Sequence, residues 1–316
     1  MLNRKLCFYA LMLAALTACT KHDAVVTNGG NQSNAKPNKT STTFGLLNAE
    51  GSVEETEAEM QAANIKLVRM PIYLSQTSIG RIVNQYLIDG FNVQINLNWA
   101  CAQDGPVPFP KDLSLVKEKA EAFFQYYLPF KDQIPVVAVE NEWDAASYHT
   151  GSLEDYLKEL AVITFVGHKY GYKIADAGIT SASLQRWTYS QLTGFDAIQW
   201  RQNYYLGLNN NYQSFVEYIN SYTNGIKNID IDFCNVHWYN GIKCGGGFGV
   251  ASSTFMKACG KSAVICNEFG IRMNSVGLFD STVNEIRNKV TYAVAYSGKN
   301  DPGKAIDLTS EMLNGL

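Results

Sequence analysis

Beyond residue 42 the chain alternates between short apolar runs and longer stretches whose apolar positions recur at helical spacing. The apolar runs cover residues 43–47, 65–71, 91–97, 134–141, 173–180, 231–237 and 263–267. Between them the periodicity predicts helices over 53–63, 79–88, 113–127, from 152 onward, and over 212–222, 254–258 and 283–292. Ser52 with Glu55, and Ser152 with Asp155, stand at capping-box spacing and mark two of the helix starts. An eighth strand falls at either 293–296 or 305–308, which leaves only a short or partial last helix. Two segments stand apart from this rhythm. Residues 181–211 are aromatic and Asn-rich, more than a minimal connector needs. Residues 245–249 form a Gly-rich loop.

Strands alternating with helices are the pattern of a parallel sheet with helical crossovers. About eight such units predict a (β/α)8 TIM barrel. The competing arrangement, an open doubly wound sheet, would want a glycine-rich phosphate turn after its first strand. The stretch from Gly45 to Gly51 does not supply one.

The first 42 residues have a different character. Arg4 and Lys5 precede an apolar stretch over 6–16 that is too short to span a bilayer. Leu16-Thr17-Ala18-Cys19 then matches the lipobox of bacterial lipoproteins, in which the signal is cut before the cysteine and the thiol is lipidated. Residues 1–18 are therefore expected to be a signal peptide and Cys19 the lipidation site. The Asn/Gly/Ser/Thr/Lys-rich residues that follow, to 42, have almost nothing to bury and are expected to form a flexible tether. Residues 43–316 would be one catalytic barrel, anchored at the cell envelope through the lipid alone.

Composition narrows the partners. A net charge of −3 with no basic run argues against nucleic acid and against an electrostatic membrane site. The histidines are His22, His149, His168 and His237, with no cluster and no Cys-x-x-Cys, so no metal and no cofactor is expected. Cys234 and Cys266 lie in apolar runs and are expected in the core. Cys244 and Cys259 flank the Gly-rich loop and could pair.

The candidate chemistry lies at strand ends. The fourth run ends in Asn141-Glu142 and the seventh in Asn267-Glu268. Two carboxylates brought to one rim of a parallel barrel are the equipment for breaking a glycosidic bond. Other polar residues at strand ends are Arg69, Asn98 with Trp99, and His237 with Tyr239, the last two pointing the same way by alternation. The same alternation turns Glu140 away from Asn141, where it would form a buried or rim ion pair. Trp99, Trp143 and Trp238 adjoin strand ends and are candidate stacking platforms for sugar rings.

This order of motifs resembles the large clan of retaining glycoside hydrolases with (β/α)8 barrels and glutamates on strands four and seven, the clan containing family 5 cellulases and mannanases. The resemblance spans nearly the whole chain after the tether. It implies Glu142 as acid/base, Glu268 as nucleophile, Arg69 as the strand-two arginine that keeps Glu268 charged, and His237-Trp238-Tyr239 as the strand-six signature. Asn141 would bind the sugar 2-hydroxyl, and Tyr239 would orient Glu268. The chain departs from the clan in having Trp143 where proline usually follows the acid/base, and Asn98 where many members carry histidine. Its strand-eight aromatic is not identifiable. The expected activity is retaining cleavage of a β-linked glucan or mannan type of poly- or oligosaccharide by a monomer. The rival is a non-catalytic glycan-binding lipoprotein. A Ser or Cys hydrolase would want a Gly-x-Ser-x-Gly elbow or a Cys–His pair, and the chain shows neither.

Overall fold

The apolar runs become eight parallel strands. A computed structural model describes residues 41–48, 51–76, 80–102, 105–203, 208, 210–240, 247–271, 275–298 and 307–316. The expected signal peptide, Cys19 and most of the tether lie outside these residues, as do Cys244 and residues 245–246 of the Gly-rich loop. In chain order the elements are β1 (Thr43–Asn48), α1 (Val53–Ala62), β2 (Leu67–Tyr73), α2 (Arg81–Ile88), β3 (Asn92–Asn98), α3 (Leu113–Tyr126), β4 (Val137–Val139), α4 (Leu153–Lys169) and β5 (Ile174–Ala175). They continue with α5 (Ser181–Gln191), α6 (Gly194–Asn203), α7 (Tyr212–Lys227), β6 (Cys234–Asn240), α8 (Phe248–Ala258), β7 (Val264–Ile271), α9 (Val276–Ile286), β8 (Tyr292–Ser297) and α10 (Ser310–Leu313).

The sheet runs β5-β4-β3-β2-β1-β8-β7-β6, so first and last strands are neighbours and no edge is left at the chain ends. Closure falls between β5 and β6. Ala175 bridges Phe233 and Ile179 bridges Val236, both parallel. Asp232 N–H donates to Ile174 C=O at 2.9 Å and His237 N–H to Ile179 C=O at 3.0 Å. The fold is a (β/α)8 barrel, with the open-sheet alternative removed by these bonds.

The helices close where sequence placed their caps. Ser52 and Glu55 form both bonds of a capping box. Ser152 Oγ accepts from Asp155 N–H and donates to its carboxylate. Each apolar stripe packs on the strand layer in one extended core, while Val136, Ala138, Ala175, Phe233 and Ile265 form a second, small cluster. By two-residue alternation Phe233 and Ile265 share their strand faces with His237 and Asn267, so that small cluster fills the barrel beneath the polar rim.

Three expectations need correction, and one open choice is decided. The segment 181–211 contains helices α5 and α6 rather than an open loop, with Thr180 Oγ1 capping α5. The helix after β7 begins at Val276, not 283, because Ser275 Oγ accepts from Leu278 N–H. Asn288, with φ of 62°, then ends that turn before β8. The helix expected at 254–258 starts earlier, at Phe248. Finally, β8 is the first of the two candidates: it pairs with β1 from Thr43↔Tyr292 to Asn48↔Ser297. The alternative at 305–308 lies partly outside the described residues. No helix among the described residues is long and apolar enough to cross a membrane.

Candidate active site

Arg69, on β2, is 4% exposed and makes three charge-assisted contacts. Its Nη1 donates to Glu268 Oε2 at 2.5 Å, Nη2 to Asn141 Oδ1 at 2.6 Å, and Nε to Asn96 Oδ1 at 3.0 Å. A guanidinium has donors only, in a fixed fork, so it ties three strand ends together in one geometry.

Strand β7 carries a bulge at this point. Asn235 pairs with Ile265 and His237 with Glu268, so one residue of β6, Val236, opposes two of β7, Cys266 and Asn267. A bulge of this kind re-aims side chains next to active sites. Here it lets the consecutive residues Asn267 and Glu268 both serve the rim. Asn267 Oδ1 lies 2.8 Å from His237 Nε2, while Glu268 Oε1 accepts from Tyr239 Oη at 2.6 Å.

The end of β4 uses a different device. Glu140 has φ of 67° and Glu142 φ of 47°, left-handed values that non-glycine residues rarely adopt. The conformation is held by Glu140 N–H donating to Leu97 C=O and Glu142 N–H to Ala177 C=O, both at 3.0 Å. Asp144 holds the following turn by accepting from Thr180 N–H and Oγ1. The result is that Glu142 Oε1 comes to 2.8 Å from His237 Nδ1. Gly178, with φ of +82°, packs against the other side of that ring, where a Cβ would sit 2.8 Å from His237 Nε2.

Electrostatics separate the carboxyl groups. Burial alone would raise Glu268, but the charges of His237 and Arg69 and the hydrogen bonds from Tyr239 and Arg69 overcome it and hold its pKa down to about 2. Burial would lower His237, but Glu268 and Glu142 outweigh that and raise it. Tyr239 is pushed well above its ordinary value, first by burial and then by Glu268, and so remains a donor. Glu142, His237 and Glu268 each offer one donor atom, all within 4.8 Å of one another. That spacing is open to a divalent cation, yet Arg69 already neutralises Glu268 from 2.5 Å.

A cavity of about 300 Å³ opens beside these groups, lined by Arg69, Asn96, Asn98, Glu140, Asn141 and Glu268 among others. Tyr73, Tyr148 and Tyr296 supply aromatic surface to it. Tyr296 on β8 was not singled out from sequence, although a tyrosine in the next-to-last position of the last strand was the available signal. Asn98 lines this cavity, and Trp99 adjoins it, half-buried against the core. Trp143 and Trp238 do not offer sugar platforms. Trp143 lies 3.9 Å from the Tyr222 ring in a stack at 9° and is 3% exposed. Trp238 is fully buried with its edge against Phe248.

Glu140 is also placed differently from expectation. The left-handed φ breaks the alternation, so it lines the same cavity as Asn141 instead of facing away. Its Oε1 accepts from Trp99 N–H at 2.5 Å. Among the described residues its one basic neighbour in ion-pair range is His149, whose Nε2 is 3.9 Å away and donates to Asn141 C=O at 2.8 Å. Burial lowers His149 and keeps it neutral at neutral pH. Burial raises Glu140 to about 7. Glu159, on the apolar face of α4, is raised well above the usual carboxylate range, first by burial and then by Glu140.

A scan against protein-family models finds none that matches the chain, and a comparison with curated proteins finds no similar sequence. Likeness appears among solved structures. A glucosidase from Croceicoccus marinus superposes with a TM-score of 0.58 at 10% identity, covering 81% of this chain and 60% of that one. A family 39 glycoside hydrolase from the gut symbiont Bacteroides cellulosilyticus gives 0.53 at 13% identity, covering 88% and 59%. The chain thus spans about three fifths of the length of each of these two structures. At such identities the likeness establishes the shared (β/α)8 fold.

Proposed function

We propose that the protein is a glycoside hydrolase that cleaves a β-linked poly- or oligosaccharide of glucan or mannan type with retention, using Glu268 as nucleophile and Glu142 as acid/base. The observation that carries this reading is the pair of carboxyl groups at the rim, with oxygens within 4.8 Å of each other. Retaining enzymes keep their carboxyl groups about 5–5.5 Å apart, whereas inverting enzymes leave roughly 6.5–9.5 Å for a water.

In the first step a Glu268 oxygen attacks the anomeric carbon, and the carbon–oxygen bond to the leaving sugar breaks. Its electron pair goes to the leaving oxygen, which takes the proton of Glu142. Arg69 and Tyr239 keep Glu268 ionised for that attack. In the second step Glu142 removes a proton from water while the water oxygen bonds to the anomeric carbon and releases Glu268. Asn141 accepts from Arg69 through Oδ1, which leaves its Nδ2 to donate to the sugar 2-hydroxyl. The two glycoside hydrolases of like fold support the reaction class.

Glu142→Gln and Glu268→Gln are each expected to remove nearly all release of reducing ends from a panel of β-glucans, mannans and xylans. Wild-type turnover in either variant overturns the assignment. The reading also places the barrel, as a monomer, at a cell envelope through a lipid on Cys19. A Cys19→Ala form is then expected to leave the membrane fraction with its activity intact, and its retention there contradicts the anchor.

A further inference from the structure

Neutral amide and imidazole groups can each present two faces, and the buried chain behind the two carboxyl groups fixes which face each one shows. The fixed point is Arg69, which can only donate. Its Nε bonds one end of the Asn96 amide at 3.0 Å, and that end must be the oxygen. The other end lies 3.2 Å from the Glu140 carbonyl oxygen, an acceptor only, and must be the NH2. Two independent contacts therefore set Asn96 in one orientation.

That orientation propagates. The Asn96 oxygen faces the Asn267 amide at 2.9 Å, so Asn267 presents its NH2 there and its oxygen to His237 Nε2 at 2.8 Å. An oxygen without a proton requires a proton on that nitrogen. Asn96 is 2% exposed and Asn267 and His237 are fully buried, so water does not intervene to relax the sequence of bonds. His237 Nδ1 then faces Glu142 Oε1 at 2.8 Å. Two bare lone pairs do not sit at that distance, so this contact holds a proton.

We infer that Asn96 and Asn267 are positioning residues that lock His237 with Nε2 protonated, and that through His237 they reserve Glu142 Oε1 for a permanent hydrogen bond, leaving Oε2 as the oxygen that exchanges the catalytic proton with the sugar and water. This rests on the acid/base role given to Glu142 above. The groups that face His237 are Glu142 and Glu268, with Arg69 and Tyr239 beside them, and no group among these can substitute for the Asn267 oxygen at Nε2. When Glu142 gives up its Oε2 proton to the leaving oxygen, the proton on the Nδ1–Oε1 line remains with His237 and holds the new carboxylate in place. When water is deprotonated, the proton enters at Oε2 again.

The tautomer is open to direct observation in the wild-type protein. Imidazole nitrogen NMR on uniformly 15N-labelled protein, with the His237 signals assigned by their loss in His237→Asn, is expected to show Nε2 protonated throughout the range in which the protein stays folded. Only Nδ1 should move with pH. A bare Nε2 with a protonated Nδ1 at any pH in that range overturns the inference. This measurement is independent of whether the protein hydrolyses glycans, so its outcome separates from that of the proposed function.

A second arm tests the catalytic consequence. Asn267→Ala removes the acceptor and frees the ring to take either tautomer. It is expected to lower kcat at least about tenfold, a part of the ~10²–10⁴-fold that general acid catalysis contributes, with KM little changed. The basic limb of its pH profile should shift, and its His237 Nε2 signal should acquire bare character. An unchanged kcat and pH profile in a variant whose Nε2 has lost its proton would overturn the positioning role.

Discussion

Two sets of carboxyl groups lie near one another at this end of the barrel, and their chemistry is opposite. Glu268, on β7, meets Arg69 at 2.5 Å and the Tyr239 hydroxyl at 2.6 Å, and is held ionised down to about 2. Glu140, at the end of β4, meets one backbone N–H and the carboxyl of Glu159, and burial raises it to about 7. Glu159 has no hydrogen-bond donor from any described residue other than a proton shared with Glu140. Glu268 keeps 13% of its side chain exposed at the cavity and Glu140 only 2%, yet desolvation pushes both upward, so burial alone does not decide the ionisation state. The presence of a cation and an aimed hydroxyl does.

Removing the cation should break the comparison most severely. Arg69→Met leaves Glu268 with the Tyr239 hydroxyl and His237 but no guanidinium, and strips Asn141 and Asn96 of their shared donor. Losing one partner of a buried pair costs about 3–5 kcal/mol. Chemical denaturation is expected to show a loss of that size, with activity falling further than in Tyr239→Phe or Asn267→Ala. A change under about 1 kcal/mol would mean that the guanidinium does not hold the site.

Tyr239→Phe is a smaller disturbance of the same side. A hydrogen bond to a charged group is worth about 1.5–3 kcal/mol. Its removal takes a donor from the ionised form of Glu268, so the Glu268 pKa rises and the acid limb of the pH–activity profile moves to higher pH. An acid limb that stays in place or moves down contradicts the assigned contact.

The smallest effect, and the one that sharpens the contrast, is in stability against pH. Glu268, lowered from 4.5 to about 2, adds stability that is present above its ordinary value and lost as pH falls toward 2. Glu140, raised from 4.5 to about 7, has the opposite sign: its contribution is full below 4.5 and is lost as pH rises through 7. The wild-type Tm should therefore decline on both sides. Glu140→Gln keeps an acceptor for Trp99 N–H and gives Glu159 a donor at every pH. It should flatten the decline between about 4.5 and 7 while leaving the acid fall unchanged. An identical slope in wild type and variant would show that Glu140 is not the titrating group.

Much of this arrangement was legible in the chain. Residues 134–141 and 263–267 read as strands, and their Asn-Glu ends stood out because polar side chains interrupt an apolar run at the place where barrels collect chemistry. What escaped depended on backbone detail that periodicity does not carry. The left-handed φ values at Glu140 and Glu142 cancel the alternation that would have turned Glu140 away. The β7 bulge aims Asn267 at His237, although a regular strand would send Asn267 and Glu268 to opposite faces.

Some of the missed residues did leave a trace. Gln94, Asn96 and Asn98 alternate with Val93, Ile95 and Leu97 along β3, and all six are buried. Three amides on one face of a buried strand need partners, and Asn96 became the hinge of the network. Glu159 sits between Tyr156 and Leu160 on the apolar stripe of α4, a carboxyl where a packing residue belongs. The tryptophans misled for the opposite reason. Adjacency to a strand end says nothing about which layer a ring enters, and Trp143 and Trp238 both turned into the core.

The central claim is that the ionised carboxylate of Glu268 attacks an anomeric carbon while Glu142 supplies the proton. The most direct test is proton NMR of the first product released from a β-linked glycan by the wild-type protein, run beside Glu268→Gln. The account predicts that the new reducing end appears first as the β-anomer and equilibrates later, and that Glu268→Gln releases none. Initial appearance of the α-anomer, or release by Glu268→Gln at the wild-type rate, would contradict it.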